Sequence, residues 1–215
     1  MTKKTDSPAT TSMAYDLMLP KWVKVQTVLD GTEAMRAAGS TYLPQHAEES
    51  DAAYQDRLKQ CTLFNLLKIT RNSLVGRPFS EPIKFTEETP QQLLDLFEDV
   101  DLQGTDIHVF ARNWFQDGLA KAYSHVYVDF PRVEDTDTRT MADDRADRVR
   151  PYLVAIAPEQ LIFADSETID GREVLREIRI MEELNERDGF AERIVKQIRR
   201  VFIDTVVEGE TVTEV

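Results

Sequence analysis

The sequence predicts an α+β protein in which an N-terminal helical half precedes a mostly antiparallel β-sheet. Between residues 13 and 123, apolar side chains recur every three or four positions, which is typical of amphipathic helices. After Ala122 the pattern changes to one typical of strands, as in "HVYVDF" and "YLVAIA". Because helices come first and strands later, the order differs from the βαβ alternation of parallel sheets.

The N-terminal residues divide into a polar arm and two helices. Residues 1–12 are rich in Thr, Ser and Lys, and we expect a disordered arm. Helices are predicted over Tyr15–Leu29 and Thr32–Ala38. Pro20 is expected to mark the first regular turn of the first helix, because proline is poorly tolerated in a helix interior.

One long helix is predicted from Ser50 to Leu74. Ser50 is a suitable N-cap, and "GRPF" from Gly76 ends the helix. The stripe expected to share one helical face consists of Tyr54, Leu58, Cys61, Phe64 and Leu67.

Two further helices are predicted before the strands begin. "TPQQLLDLFEDV" offers Thr89 as N-cap, Pro90 at the first helical position and Gln92 to complete a capping box. The next helix is expected over Thr105–Ala122, capped by Thr105 or Asp106.

The C-terminal half is predicted to be strands around one long loop. "REVLREIRIMEEL", "ERIVKQIRRVFID" and the strand–turn–strand "FIDTVVEGETVTEV" follow the first two strands. The loop at 131–150 is almost free of apolar residues, and we expect it to be mobile. The predicted organisation is therefore a 1–12 arm, a helical part at 13–123 and a β-rich part at 124–215.

Composition excludes several classes of protein. No run approaches 18 apolar residues, so no transmembrane span is predicted, and the polar N-terminus does not resemble a secretory signal. One cysteine, Cys61, cannot form an internal disulfide, and we interpret it as a core thiol. The net charge of −13 argues against enveloping nucleic-acid binding.

The stretch "EDVDLQGTDIHVF" is similar to a calcium-binding loop at its first positions. Asp99, Asp101, Gln103 and Gly104 match places one, three, five and six of an EF-hand loop. The twelfth place, which requires a bidentate carboxylate, is Phe110. We therefore expect no metal here, but a turn in which Gly104 relaxes the backbone before the next helix.

No catalytic or cofactor signature is apparent, so neither an enzyme nor a cofactor is expected. The three histidines, His46, His108 and His125, form no HExxH or Cys/His cluster, and Gly-rich phosphate loops are absent from the sequence. A metal-dependent nuclease is a distant alternative, with Asp129 on one strand and Glu177-Ile178-Arg179 on another. Alternating Glu and Arg on a strand is more typical of a solvated face or of a cross-strand salt-bridge row.

Several segments in order resemble the N-terminal part of a family of tailed-phage portal proteins. The likeness covers about Trp22 to Asp204 and consists of several weak motifs. Its helical motifs are a "YLP" step, a Tyr–Arg-bearing helix, an Asn, a "LVG.PF" exit, and an Asp-x-Asp-x-x-Gly turn before "FA". In this sequence they are Tyr42, Leu43, Pro44, Tyr54, Arg57, Asn65, Leu74, Val75, Gly76, Pro78, Phe79, Asp99, Asp101, Gly104, Phe110 and Ala111.

The later motifs of the resemblance lie in the strands. "HVYVDFP", "RPYLVAIAPEQLI" and "DGFAERIVKQIRRVFID" are similar to family strand segments, although "KAYSH" replaces the usual glycine-rich "LGR.G". Portal proteins are considerably longer, so we expect a fragment that supplies mainly the wing and lacks most of the stem, clip and crown.

The resemblance implies a structural protein of the virion, assembled in the host cytoplasm. Roughly a dozen copies would form a ring at one capsid vertex through side-to-side contacts. Double-stranded DNA would pass through the channel without sequence-specific binding. Terminase, capsid and head–tail connector proteins would be partners, and no membrane is implied. The alternative within the same setting is another head–tail adaptor.

The acid in the sequence is concentrated in one segment, residues 80–106. This segment contains eight acidic residues and one basic residue, Lys84, so it supplies −7 of the net charge of −13. A channel wall that repels phosphate is one hypothesis for this segment, to be tested by neutralising Glu87, Glu88, Glu98 and Asp99. The simpler interpretation, which we favour, is a solvated helix face.

Overall fold

The computed structural model describes residues 7–131, 140, 142–143, 149–169, 171–203, 205–208 and 211–214. In these residues the helices precede the strands, which confirms the α+β prediction. The helices are α1 Met13–Asp30, α2 Thr32–Ala38, α3 Asp51–Gln60, α4 Leu66–Gly76, α5 Gln91–Glu98 and α6 Ile107–Lys121, with a 3₁₀ turn at Gly39–Thr41. The strands are β1 His125–Asp129, β2 Tyr152–Ile156, β3 Leu161–Ile169, β4 Arg172–Asp188, β5 Ala191–Phe202, β6 Thr205–Glu208 and β7 Thr211–Glu214.

The described strands form three small sheets, and every pairing in them is antiparallel. Strands β1 and β2 pair, β4 lies between β3 and β5, and β6 pairs with β7. The sequence did not predict β3, because its outer half, "ADSET", is polar and exposed and lacks the apolar alternation that marks a strand. Most of the loop predicted to be mobile, 132–139, 141 and 144–148, lies outside the described residues.

Contacts divide the chain into two compact units that differ from the predicted 13–123 and 124–215 parts. The first unit comprises Met1–Val23 and Ala157–Val215, and the second comprises Lys24–Ile156. The boundary therefore falls inside helix α1 and after strand β2. Residues 7–23 pack with the later strands, and β1–β2 belongs with the remaining helices.

The core of the first unit is the apolar face of α1 on the β3–β4–β5 sheet. Tyr15 and Trp22 are buried at 7% and 2% exposure and meet edge to face, with 5.9 Å between ring centroids. Buried Ile162 completes this core. The Tyr15 hydroxyl also donates to the Glu159 carbonyl at 2.9 Å, so the burial leaves this polar group satisfied. Burial raises the pKa of Tyr15.

Residues 7–12 do not form the disordered arm that their composition indicated. The Thr10 amide donates to the Ser7 carbonyl at 2.9 Å, and the Ser12 amide donates to the Ile162 carbonyl at 3.0 Å. The Ser12 hydroxyl accepts from the Tyr15 amide at 3.1 Å and caps α1. The first six residues of the predicted arm lie outside the described residues.

Helix α1 begins seven positions before Pro20, so the prediction that Pro20 marks its first turn was wrong. A proline in a helix interior costs about 3 kcal/mol. The buried residues Tyr15 and Trp22 lie about two full turns apart, on the same side of the helix, and Pro20 lies between them. A continuous helix is what places both rings against the same sheet, and this burial offsets the cost of the proline.

The long helix predicted over Ser50–Leu74 is divided into α3 and α4, so that prediction was wrong. Ser50 does cap α3, accepting from the Ala53 amide, but Cys61 is extended, with φ −61° and ψ 141°. The Arg36 guanidinium donates twice to the Cys61 carbonyl, at 3.1 and 2.8 Å. These tertiary hydrogen bonds compete with helical ones, and local periodicity carries no sign of them. Phe64, expected on the buried stripe, is 74% exposed.

Asn65 restarts the helix after this break and anchors it to α1. Its side-chain oxygen accepts from the Lys68 amide at 2.9 Å, and its side-chain nitrogen donates to the Val28 carbonyl. We expect Asn65→Ala to lower the free energy of unfolding of the second unit by about 1–3 kcal/mol, since a cap and a part-buried hydrogen bond are both lost. Urea denaturation measures the change.

Asn72→Ala on the same helix is the matched control. Asn72 is exposed, and its side-chain oxygen accepts from the neighbouring Arg71. We expect this substitution to change the free energy of unfolding by less than about 0.5 kcal/mol. Equal losses in the two variants would mean that Asn65 is not an anchor.

The last two helices test the predicted caps. Pro90, not Thr89, is the N-cap residue of α5 and makes no side-chain cap bond, so the predicted capping box was wrong. Asp106 caps α6 as predicted, accepting from the Val109 amide at 3.0 Å.

Candidate functional site

The motif residues of α3 and the segment before it are joined by a clamp on Arg57. The guanidinium of Arg57 binds both carboxylate oxygens of Glu49, each at 2.8 Å, and donates to the Pro44 carbonyl at 3.0 Å. It also lies 5.3 Å from the ring centroid of buried Tyr54. The hydrogen bonds from Arg57 lower the pKa of Glu49 to about 2.

The motif that ends α4 lies against α6. Val75 is almost completely buried at 1% exposure. The ring of Phe79 meets the rings of His108 and Phe115 at centroid distances of 5.6 and 5.8 Å. Together with the Arg57 clamp and the Asn65 anchor, the helical motifs thus hold the second unit together.

The acidic turn before α6 binds its own backbone. Asp99 accepts from the Gly104 amide at 2.7 Å, and Asp101 accepts from the Gln103 and Thr105 amides at 2.9 and 3.2 Å. Gly104 has a φ of 90°, the left-handed conformation expected of it. Burial opposes ionisation of Asp101, but the hydrogen bonds from Thr105 and Gln103 outweigh it, so its pKa is lowered. The predicted turn is confirmed.

Arg150 fastens this turn to the polypeptide before β2. Its guanidinium donates to the Asp99 carbonyl and lies 3.6 Å from the Asp99 carboxylate. The Leu153 amide donates to the carbonyl of fully buried Val100 at 2.7 Å. Asp99 is therefore structural. Neutralising it would disturb this turn, so it is unsuitable as a substitution to test the channel-wall hypothesis.

The strands required for the nuclease alternative lie in separate sheets. Asp129 ends β1, where its carboxylate accepts from the Tyr152 hydroxyl at 2.9 Å. Glu177 lies in β4 of the other unit and binds Arg179 at 2.5 Å and Arg200 at 2.8 Å. Arg179 and Arg200 are cross-strand neighbours, so Glu177 screens two like charges. The salt-bridge interpretation of the Glu/Arg pattern is confirmed.

The ion pairs of Glu177 make stability depend on pH. Hydrogen bonds from Arg200 and then Arg179 lower the pKa of Glu177 to about 2, from 4.5. Because the folded-state pKa is depressed, the stabilisation is fully present above pH 4.5 and is lost as pH falls toward 2. We expect Glu177→Gln to flatten the acid limb of a plot of unfolding free energy against pH. Glu173 lies on the same strand and accepts a hydrogen bond from the Ser166 hydroxyl. Glu173→Gln should leave the acid limb unchanged, and equal flattening by both substitutions would contradict this assignment.

The histidines and the cysteine lie apart from one another. His46 is exposed, His108 is on α6, and His125 begins β1, where burial lowers its pKa. Cys61 is half-buried and donates to the Leu58 carbonyl at 3.1 Å. Within the described residues no three His, Cys, Asp or Glu side chains are grouped to hold a metal ion. No helix among those residues is long and apolar enough to cross a bilayer.

Large apolar side chains stay exposed on both units. Helix α4 is the clearest case: Leu66, Leu67, Ile69 and Leu74 are 42–59% exposed. In the first unit Phe190, in the turn between β4 and β5, is fully exposed. Clustered exposed apolar residues are typical of surfaces that become buried in an assembly.

Sequence reasoning missed three residues that organise these sites. Glu49, Arg36 and Arg150 each bind a motif residue or the chain beside one. Their partners lie 8, 25 and 51 positions away, so no local period marks them. The one available signal concerned Glu49. Its carboxylate immediately precedes the Ser50 cap of the helix that carries Arg57, so an ion pair between the two was possible.

Comparison of the chain with models of known protein families and with curated proteins finds no match.

Proposed function

We propose that this chain is a structural subunit of a phage portal ring and forms its wing. The observation that carries the proposal is that residues matching the portal motifs make the hydrogen bonds that hold the helices together. Arg57 on α3 donates to the carbonyl of Pro44 in the "YLP" motif, and Asn65 joins α4 to α1. Arg57 and Pro44 are both motif residues of the resemblance and are hydrogen-bonded to each other, and Asn65 is a third that joins two helices. Here they are the residues that fix the helices, which supports a shared architecture.

The exposed apolar faces are consistent with a subunit of an assembly. A ring subunit uses two different surfaces, one for each neighbour, and both are uncovered in the isolated chain. Exposed leucines and isoleucine on α4 and the exposed turn at Phe190 supply such surfaces on the two units. In this role the protein binds neighbours and performs no reaction. Its partners are copies of itself, terminase, capsid and connector proteins, and transiting double-stranded DNA.

The proposal is tested in virus particles. An antibody raised against this chain should label one vertex of tailed particles, and a nonsense mutation in its gene should yield heads without packaged DNA. Labelling along the tail, with DNA-filled heads in the mutant, would instead favour a different head–tail adaptor. Magnesium-dependent cleavage of plasmid DNA by the purified chain would contradict both.

A further inference from the structure

The acidic segment 80–106 encloses an apolar groove within the second unit. Its apolar lining consists of Pro82, Ile83 and Phe85 from the segment before α5 and of Leu94, Phe97 and Ile107 from α5 and α6, around a cavity of about 370 Å³. The rings of Phe85 and Phe97 stack at 5.1 Å with an interplanar angle of 11°. Ile83 and Phe85 remain 37% and 42% exposed, so the groove opens to solvent.

The groove has an acidic rim and an unsatisfied polar atom. Glu98 and Asp106 lie at its edge, in a segment of net charge −7. Glu87 and Glu88 are exposed and lie two and three residues after Phe85. The His108 ring also lines the groove, and its Nδ1 is buried without a hydrogen-bond partner among the described residues.

We propose that this groove binds a segment of a partner protein in which apolar side chains are flanked by lysine or arginine. The apolar walls provide the affinity, and the acidic rim selects basic flanks and rejects acidic ones. Nucleic acid does not fit, because the same rim repels phosphate. The site does not depend on ring formation, so the portal proposal and this one can fail separately.

Synthetic amphipathic peptides test the groove on the full chain by fluorescence anisotropy. The probe carries leucine or phenylalanine at positions i, i+4 and i+7 with lysine flanks; one control replaces lysine by glutamate, and another replaces the apolar anchors by serine. We expect only the probe to bind, and we expect its affinity to fall as salt is raised because the rim is exposed. Equal binding of the lysine and glutamate peptides, or no binding of either, would overturn the proposal.

Matched substitutions locate the binding. Phe85 lines the groove and Leu93 on α5 does not, yet both are 42% exposed. We expect Phe85→Ser to lower the affinity for the probe peptide at least about tenfold, and Leu93→Ser to change that affinity less than about twofold. Equal effects would place the peptide elsewhere.

A charge substitution covers the case in which Phe85→Ser unfolds the chain. Glu98→Lys changes a charge at the exposed rim and should lower the affinity for the lysine-flanked probe. Glu48→Lys changes a charge at an exposed site outside the segment and should leave that affinity unchanged. If the chain dimerises instead, and Phe85→Ser abolishes dimers without any peptide binding, the occupant is a second copy and the proposal is wrong.

Discussion

Trp22→Ala is expected to lower the free energy of unfolding of the first unit by about 3–5 kcal/mol, the range typical of removing a large buried aromatic side chain. Trp22 is 2% exposed between Tyr15 and the β3–β4–β5 sheet. The cavity also removes the edge-to-face contact with Tyr15. Hydrogen exchange read by mass spectrometry measures the loss, because peptides from β3–β5 report the first unit separately.

Val23→Ala is the control for this substitution, since Val23 follows Trp22 in the same helix but is 48% exposed. It should cost less than about 1 kcal/mol. The chain has only two tryptophans, so in Trp22→Ala the fluorescence of Trp114 reports the second unit alone. If β3–β5 protection is retained in Trp22→Ala, α1 does not form the core of that unit.

Phe110→Ala is expected to destabilise the second unit by a similar 3–5 kcal/mol or so, again because a buried aromatic ring is removed. Phe110 is 9% exposed on α6, four residues beyond the Asp106 cap and next to the cavity bordered by Asp101 and Tyr152. The measurement is urea denaturation followed by Trp114 fluorescence in a Trp22→Phe background.

Val109→Ala is the neighbouring control, with Val109 42% exposed. A small effect there beside a large effect at Phe110 would identify the residue in the twelfth place of the calcium-like loop as a core residue. A small effect of Phe110→Ala on the free energy of unfolding would contradict the assignment of Phe110 to the core.

The sequence predicted those elements whose ends are encoded locally. Thr32–Ala38 was predicted with the bounds observed, and the Asp106 cap was among the two proposed, because glycine, caps and dipole-compatible charges act over one turn. The Gly104 turn followed from the same local chemistry.

Elements decided by distant contacts could not be predicted in the same way. The division of α3 from α4 depends on Arg36, which is 25 residues from Cys61. Helix α1 continues through Pro20 because its rings pack on β3–β5. The groove beside Phe85 brings together walls from an extended segment and two helices, so no single window of sequence contains it.

The central claim is that activity arises from a ring of subunits and not from a reactive pocket. Negative-stain electron microscopy of the full product of the gene that encodes this chain tests it most directly. From the portal proposal we predict class averages of a ring of roughly a dozen subunits around an open channel, closed by heterologous side-to-side contacts. Particles that remain single subunits at every concentration, and have no central channel, would contradict it.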